Sequence, residues 1–175
     1  MPTTIEEPFE LDMVNPTNAN FYWRPVSGPF WYQGVYRFDK INTPSMPSGE
    51  GISSWKVNIP KNLAATPAWN VVLHHQSAQG GAGSILLRAD AEVLGSGDTP
   101  AALTTIVPNQ LVGVGTSGDR NITVLSASNF DSLVALTAGE DLHLVLKRIP
   151  LNASGDSLVA GWDLSVPPIF RVDVT

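Results

Sequence analysis

The sequence contains no cysteine. This absence excludes disulfides, thiolate zinc sites and a cysteine nucleophile, and with them the cross-links on which small secreted domains usually depend. A chain of 175 residues with 43% hydrophobic residues must therefore be held together by its own core. The length fits one domain, with or without a short arm.

Charge is also scarce, at 15% of the chain against about 25% in average proteins. Ten basic residues are scattered among sixteen acidic ones, which gives a net charge of −6. Because phosphate binding needs clustered Lys and Arg, the sequence predicts no nucleic-acid partner and no anionic-membrane partner.

Long apolar runs are missing as well. No stretch approaches the about 20 apolar residues that a membrane helix needs. Residues 1–8 are acidic and have no apolar core, unlike a signal peptide. We therefore expect a soluble protein made in the cytoplasm of its host.

Glycine and proline, by contrast, are abundant and divide the chain into short segments. Apolar and polar residues alternate over 85–93, 142–149 and 169–174, as in half-buried strands. In the first of these, Arg88, Asp90 and Glu92 form the polar face, which we expect to meet solvent. Only residues 128–136 could hold a helical turn or two. Further strands are predicted at 34–41, 52–59, 69–76, 103–107 and 121–125. About eight strands separated by turns predict a jelly-roll-like antiparallel β-sandwich.

Residues 1–30 differ in kind. Their five prolines cannot donate ladder hydrogen bonds, so we expect no regular central strand here. We predict an extended Pro-rich N-terminal arm over residues 1–30 and a β-sandwich domain over residues 31–175. Two interpretations of the arm stay open: it packs on its own sandwich and closes one end, or part of it reaches a neighbouring subunit or partner. The aromatic residues of this region are Phe9, Phe21, Tyr22, Trp23, Phe30 and Trp31.

Residues capable of catalysis or metal binding do not form a recognisable pattern. His74 and His75 are adjacent on a predicted strand, so they point to opposite faces and cannot share a metal ion. No Gly-x-Ser-x-Gly elbow occurs, and the acids fall mostly in turns or on solvent faces. We predict no catalytic residue, no metal site and no cofactor. Two alternatives stay open: a metal site that includes His143, and a surface calcium ion at the turn acids.

The C-terminal quarter has a pattern of its own. A Gly-acid pair opens residues 139–148, a strand that ends in Arg148; an Asn-Ala-Ser-Gly-Asp-Ser-Leu turn follows at 152–158, and then a closing strand at 169–173. This pattern resembles β-sandwich proteins of tailed bacteriophage particles, and residues 52–93 are similar too, so the resemblance spans about residues 30–175. The sequence departs from it at Gly155, at Ser157 and at the Pro167-Pro168 pair.

The resemblance implies a structural, non-enzymatic role in the virion, as a capsid decoration (cement) protein, a head fibre or a tail module. For a decoration protein it implies a homo-oligomer, a trimer, bound to the major capsid protein at the capsid surface. We expect the six aromatic residues of the N-terminal region to form this contact. Deletion of residues 1–20 is expected to abolish capsid binding and leave the sandwich folded. The alternative is a carbohydrate- or receptor-binding module of a tail or head fibre, in which exposed Trp or Tyr side chains stack on a sugar.

Overall fold

The computed structural model is all-β, and it confirms the predicted jelly-roll-like antiparallel β-sandwich. The described part of the chain contains twelve strands and one 3₁₀ turn, Phe130–Ser132. The turn lies inside the segment for which a short helix was predicted. None of the described helical residues forms a helix long and apolar enough to cross a membrane. The residues described are 2–13, 21–25, 34–38, 51–77, 82–99, 103–115, 120–125, 130–149, 156–158 and 161–175.

The larger sheet, sheet A, has seven strands: β1 (Thr3–Pro8), β3 (Phe21–Pro25), β4 (Gly34–Phe38), β6 (Trp69–Ser77), β9 (Asn121–Leu125), β11 (Trp162–Leu164) and β12 (Ile169–Val174). Val71 and Val72 of β6 pair with β12 on one edge and with β9 on the other. His75 pairs with β11 and with β9 in the same way. The strands β11 and β12 therefore lie one after the other along a single edge of β6. On the side away from β9, β1 pairs with β12, while β4 pairs with β11 and β3 pairs with β4.

The smaller sheet, sheet B, has five strands in the order β2 (Glu10–Met13), β5 (Gly51–Asn58), β10 (Asp141–Ile149), β7 (Gly83–Leu94) and β8 (Thr104–Val114). All neighbours are antiparallel. The alternation predicted for β10 is confirmed, because Leu142, Leu144 and Leu146 are fully buried and the residues between them are not. The sheet thus turns one apolar face inward.

The core between the sheets is rich in aromatic side chains. Trp69 packs edge-to-face against Phe130 and Phe170, with ring centroids 5.0 and 5.9 Å apart. Its indole Nε1 donates a 3.1 Å hydrogen bond to the carbonyl oxygen of Val134, so the 3₁₀ turn is fixed to β6 by both packing and a polar contact. Trp55 and Trp162 are also fully buried.

The N-terminal region departs from the prediction. The strands β1, β2 and β3 pair with β12, β5 and β4, so the described residues before position 31 belong to the sandwich and form no separate arm. All three are outermost strands of their sheets, and β1 and β3 end at Pro8 and Pro25, where a missing N–H costs no ladder bond. Deleting residues 1–20 would remove β1 and β2. We therefore expect this deletion to destabilise the sandwich as well as to remove any contact that the region makes.

An ion pair is buried in the C-terminal segment that carries the phage resemblance. Arg148 follows the three inward leucines of β10 in the same alternation and is 2% exposed. Its Nε and Nη2 donate to the two carboxylate oxygens of Asp156 over 2.9 and 3.0 Å. The guanidinium also donates to the carbonyl oxygens of Phe38 and Leu158. Arg148 therefore joins β10 to β4 and to residues 156–158.

The topology gives the sandwich two unlike long sides. The chain passes from β1 in sheet A to β2 in sheet B at Phe9, so these two strands lie on one side, which we call the acidic side. The strands β8 and β9 lie on the opposite side, where Gln110 Nε2 donates to the carbonyl oxygen of Val124 across the gap between the sheets, over 3.5 Å. We call this the uncharged side, because neither strand contains a charged residue.

Candidate binding surfaces

The six aromatic residues predicted to contact a partner are placed in different ways. Phe9 is 1% exposed and packs edge-to-face on Phe170, with ring centroids 6.0 Å apart. The prediction that Phe9 contacts a partner is therefore wrong, because its ring fills the core where the chain crosses between the sheets. Phe21, Tyr22 and Trp23 follow one another on β3, an outermost strand of sheet A. Phe30 and Trp31 lie outside the described residues.

The histidines are not brought together. His75 is fully buried, and its Nε2 lies 2.8 Å from the hydroxyl oxygen of Thr123 on β9. His74 lies on the other face of β6, as predicted, and its carbonyl oxygen accepts a hydrogen bond from the backbone N–H of Ser165. The Nδ1 atom of His143 lies 3.4 Å from Asp12 Oδ2 in sheet B. The described residues include no cluster of three or more His, Cys, Asp or Glu side chains able to hold a metal ion.

Burial changes the chemistry of His75. Desolvation, with a smaller contribution from the neighbouring His74, lowers its pKa from 6.5 to about 4, so the imidazole is neutral at physiological pH. The ring lies 5.5 Å from the ring of Trp162, centroid to centroid. Three buried polar atoms in this part of the core have no hydrogen-bond partner among the residues that the structure describes: His75 Nδ1, Ser77 Oγ and Trp162 Nε1. Ser77 and Trp162 are paired across β6 and β11, so the three atoms lie in one region.

Asp90 lies on the outer face of sheet B but is 1% exposed, so the expectation that it faces solvent is wrong. Its carboxylate accepts hydrogen bonds from Arg88 Nε over 2.9 Å and from the Thr105 hydroxyl over 2.7 Å, and Lys147 Nζ lies 3.0 Å away. Desolvation raises the pKa of Asp90, but the hydrogen bonds from Thr105, Lys147 and Arg88 outweigh it and hold that pKa below its usual value. The group is a satisfied structural network that joins β7, β8 and β10.

The acidic side carries a groove between β1, β2 and the ends of β5 and β10. The run from β1 through β2 has four carboxylates, Glu6, Glu7, Glu10 and Asp12, and no Lys or Arg. Arg171 pairs with Glu6, and Lys56 Nζ lies 3.9 Å from Asp12. The groove is lined by Glu7, Pro8, Glu10, Lys56, Val57, Asn58 and Asp141. Its carboxylates outnumber its cations, so this side has a negative potential that disfavours acidic partners.

The uncharged side has the opposite character. Its strands, β8 with 11 residues and β9 with 5, contain no Asp, Glu, Lys, Arg or His. Leu111 on β8 is 58% exposed and Ile122 on β9 is 65% exposed. Natural edge strands usually carry charges that prevent another strand from pairing with them. The two charge-free runs are visible in the sequence. Only the strand order shows that β8 and β9 are outermost strands on the same side of the sandwich.

Comparison with known proteins places the chain in no family: no family model matches it, and no curated protein matches it. A chain from a structure of the infectious bursal disease virus Gx strain is 12% identical, with a TM-score of 0.43, over 99% of this chain and 37% of that one. A chain from the Gt strain of the same virus is 13% identical, with a TM-score of 0.44, over 96% and 38%. This chain thus spans little more than a third of those viral chains.

Carbohydrate-binding modules are similar to a lower degree. A family 11 module from Clostridium thermocellum, solved in complex with a β-1,3-1,4-mixed-linked tetrasaccharide, is 9% identical, with a TM-score of 0.35, over 99% of this chain and 85% of that one. Both kinds of neighbour are as distant in sequence as unrelated proteins of one fold class. Likeness of this degree carries no functional argument.

Proposed function

We propose that this chain is a non-enzymatic structural protein of a virus particle, and specifically a capsid decoration (cement) protein of a tailed bacteriophage. It assembles in the host cytoplasm, as a homotrimer, on the outer surface of the head, where it binds the major capsid protein. The observation that carries the proposal is the contrast between the two long sides of the sandwich. A side of two adjoining edge strands without charge is suited to permanent contact with other protein chains.

The buried Arg148–Asp156 pair lies in the segment that carries the resemblance to tailed-phage proteins. Arg148 ends the first part of the matching pattern, at 139–148, and Asp156 lies within the second part, at 152–158. Without Asp156 the buried guanidinium would lose a carboxylate that accepts two of its hydrogen bonds. The two positions thus have a structural role, with Arg148 near the end of β10 and Asp156 as its buried partner.

The mechanism of such a protein is mechanical. A subunit that spans the boundary between capsid proteins buries surface on both, so outward pressure on the head has to break these contacts as well. A trimer repeats the contact three times, and linked weak contacts give a high total affinity. We assign the capsid contact to Phe21, Tyr22 and Trp23 of β3 and to Phe30 and Trp31. Since β3 lies on the side of sheet A away from β9, the capsid contact and the uncharged side are different surfaces.

Substitution of Trp23 and Trp31 tests the capsid contact without removing β1 and β2. We expect Trp23→Ala and Trp31→Ala each to weaken binding to heads that lack this protein by at least about tenfold, because large aromatic anchors dominate protein interfaces. The measurement is co-sedimentation of the purified chain with such heads. The control is Leu133→Ala, which removes an exposed apolar side chain that is 52% accessible and lies outside the arm. Unchanged binding by both tryptophan variants, with the fold intact by circular dichroism, contradicts this assignment.

The same purified chain distinguishes the alternative function. Binding to a glycan array, without binding to heads, would identify a carbohydrate- or receptor-binding module of a fibre. The large hydrophobic side chains that are exposed in the described part of the chain are Leu111, Ile122, Leu133 and Val166, all aliphatic. A sugar-stacking platform would therefore have to come from Phe21, Tyr22, Trp23, Phe30 or Trp31.

A further inference from the structure

The outer edge of β8 is unequally protected along its length. Its first half contains Pro108, which cannot donate a hydrogen bond to an added strand, and the pairing with β7 is irregular opposite it, around Ala89. Its second half pairs with β7 in unbroken register from Gln110 to Val114 and contains neither a charge nor a proline. In the described part of the chain β7 is the one strand that pairs with β8. The second half is thus an edge without the usual barriers to association.

Exposed apolar side chains flank the same side on both faces, with Leu111 on the outer face of sheet B and Ile122 on the outer face of sheet A. Of the four large hydrophobic residues that are most exposed in the described part of the chain, Leu111 and Ile122 belong to the uncharged side. They are the two with the highest exposure, at 58% and 65%. Leu111 pairs across the strands with Leu86, which is 8% exposed and which pairs in turn with Ile149 of β10. An apolar row therefore crosses sheet B and ends at its open edge.

Charge decides which partner this side fits. The chain has a net charge of −6, and the run from β1 through β2 carries four carboxylates. Two copies that met through their acidic sides would bring like charges together, which costs free energy. Two copies that meet through β8 and β9 bring together strands that contain no charged residue, with the exposed Arg120 next to β9 and Arg88 bonded to Thr105 of β8 as the cations at their borders. Such a contact covers Leu111 on the outer face of sheet B and Ile122 on the outer face of sheet A. A basic partner, in contrast, would gain more at the acidic side.

We infer that the uncharged side is where copies of this chain bind one another, so that β8 and β9 face the symmetry axis of the oligomer. This inference rests on the proposed function and names the surface of its homotypic contact. It leaves β3 on the outside of the assembly, free to meet a different protein.

Sedimentation velocity of the purified full-length chain tests the inference. The wild type is expected to be an oligomer, and Leu111→Lys and Ile122→Lys are each expected to raise its dissociation constant at least about tenfold, because the interface would bury an unpaired ammonium group. The matched controls are Leu133→Lys and Val166→Lys, which place the same charge at exposed apolar positions elsewhere. They should sediment as the wild type does.

A third variant separates added charge from lost apolar area. A Cβ atom at Gly113, which lies on the same open edge of β8, would meet no atom within 4 Å, so Gly113→Glu introduces a carboxylate without removing a packed side chain. We expect it to dissociate the oligomer while its circular dichroism spectrum stays that of the wild type. A monomeric wild type, or association that none of the three variants changes, overturns the inference.

Head binding is a separate readout. If these variants dissociate the oligomer but the wild type does not bind to heads, the result supports the inference and overturns the decoration role. A wild-type dimer in place of a trimer supports the surface assigned here and overturns the proposed threefold assembly. Head binding by a wild type that is monomeric in solution overturns the inference alone.

Discussion

Replacing Arg148 with alanine is expected to lower the free energy of unfolding by about 3–5 kcal/mol, because the substitution leaves the buried carboxylate of Asp156 without its counter-ion. The side chains of Arg148 and Asp156 are 2% and 0% exposed, so water cannot replace the lost hydrogen bonds. The loss can be measured by urea unfolding at neutral pH. Asp156→Ala should have an effect of similar size, since it removes the carboxylate that pairs with the buried guanidinium of Arg148.

The control is a pair at the surface. Arg171 donates to Glu6 with side chains that are 37% and 50% exposed, and Arg171→Ala should cost less than about 1 kcal/mol. The double variant Arg148→Met, Asp156→Leu should recover most of the lost stability, because an apolar pair removes both buried charges together. Equal losses from Arg148→Ala and Arg171→Ala would contradict a structural role for the buried pair.

Acidification is expected to destabilise the protein through His75. The folded-state pKa is about 4 and the ordinary value is 6.5. Between these two pH values the unfolded chain binds a proton that the folded chain does not, so stability falls as the pH is lowered from about 6.5 to about 4. The contribution of this one group is on the order of 3 kcal/mol. Below a pH of about 4 His75 is protonated in both the folded and the unfolded chain, and the loss of stability from this group is complete.

A variant that cannot titrate isolates this contribution. His75→Gln keeps a side chain able to hydrogen-bond the Thr123 hydroxyl and carries no proton equilibrium in this range. The difference in the free energy of unfolding between pH 7 and pH 4 should be smaller in His75→Gln than in the wild type by about the amount given above. His143→Gln, which removes a partly exposed imidazole, should retain the wild-type loss. If His75→Gln and the wild type lose stability in parallel, the imidazole is not buried in its neutral form.

Strands that bury one face could be predicted from the sequence. In β10, β7 and β12 every second residue is apolar and enters the core, so the period of two is visible. The strand β11 was missed because it has three residues, Trp162–Leu164, and all three are buried. A segment buried on both faces shows no alternation. The strand predicted at 103–107 stops before Pro108, whereas β8 continues to Val114, because on an outermost strand the missing N–H of Pro108 leaves no partner unsatisfied.

The three N-terminal strands were missed for a similar reason. Prolines and acids within β1 and β2 are typical of an extended arm, and they are equally acceptable on the outermost strands of a sheet.

The binding surfaces could be predicted from the sequence only in part. The charge-free runs are visible in the sequence, but the opposition of an acidic and an uncharged side depends on strand order. The burial of Asp90 depends on Thr105 and Lys147, which are far from it in the chain and adjacent across the sheet.

A structural component of a virus head must be present in the particle in many copies, so the copy number of this chain decides whether it has that role. The measurement is quantitative mass spectrometry of purified particles from the genome that encodes the chain, with the major capsid protein as the internal reference. We expect a copy number of the same order as that of the capsid protein, and we expect the chain to stay with isolated heads after tails are removed. Absence from the particle, or a few copies that leave with the tails, would contradict it.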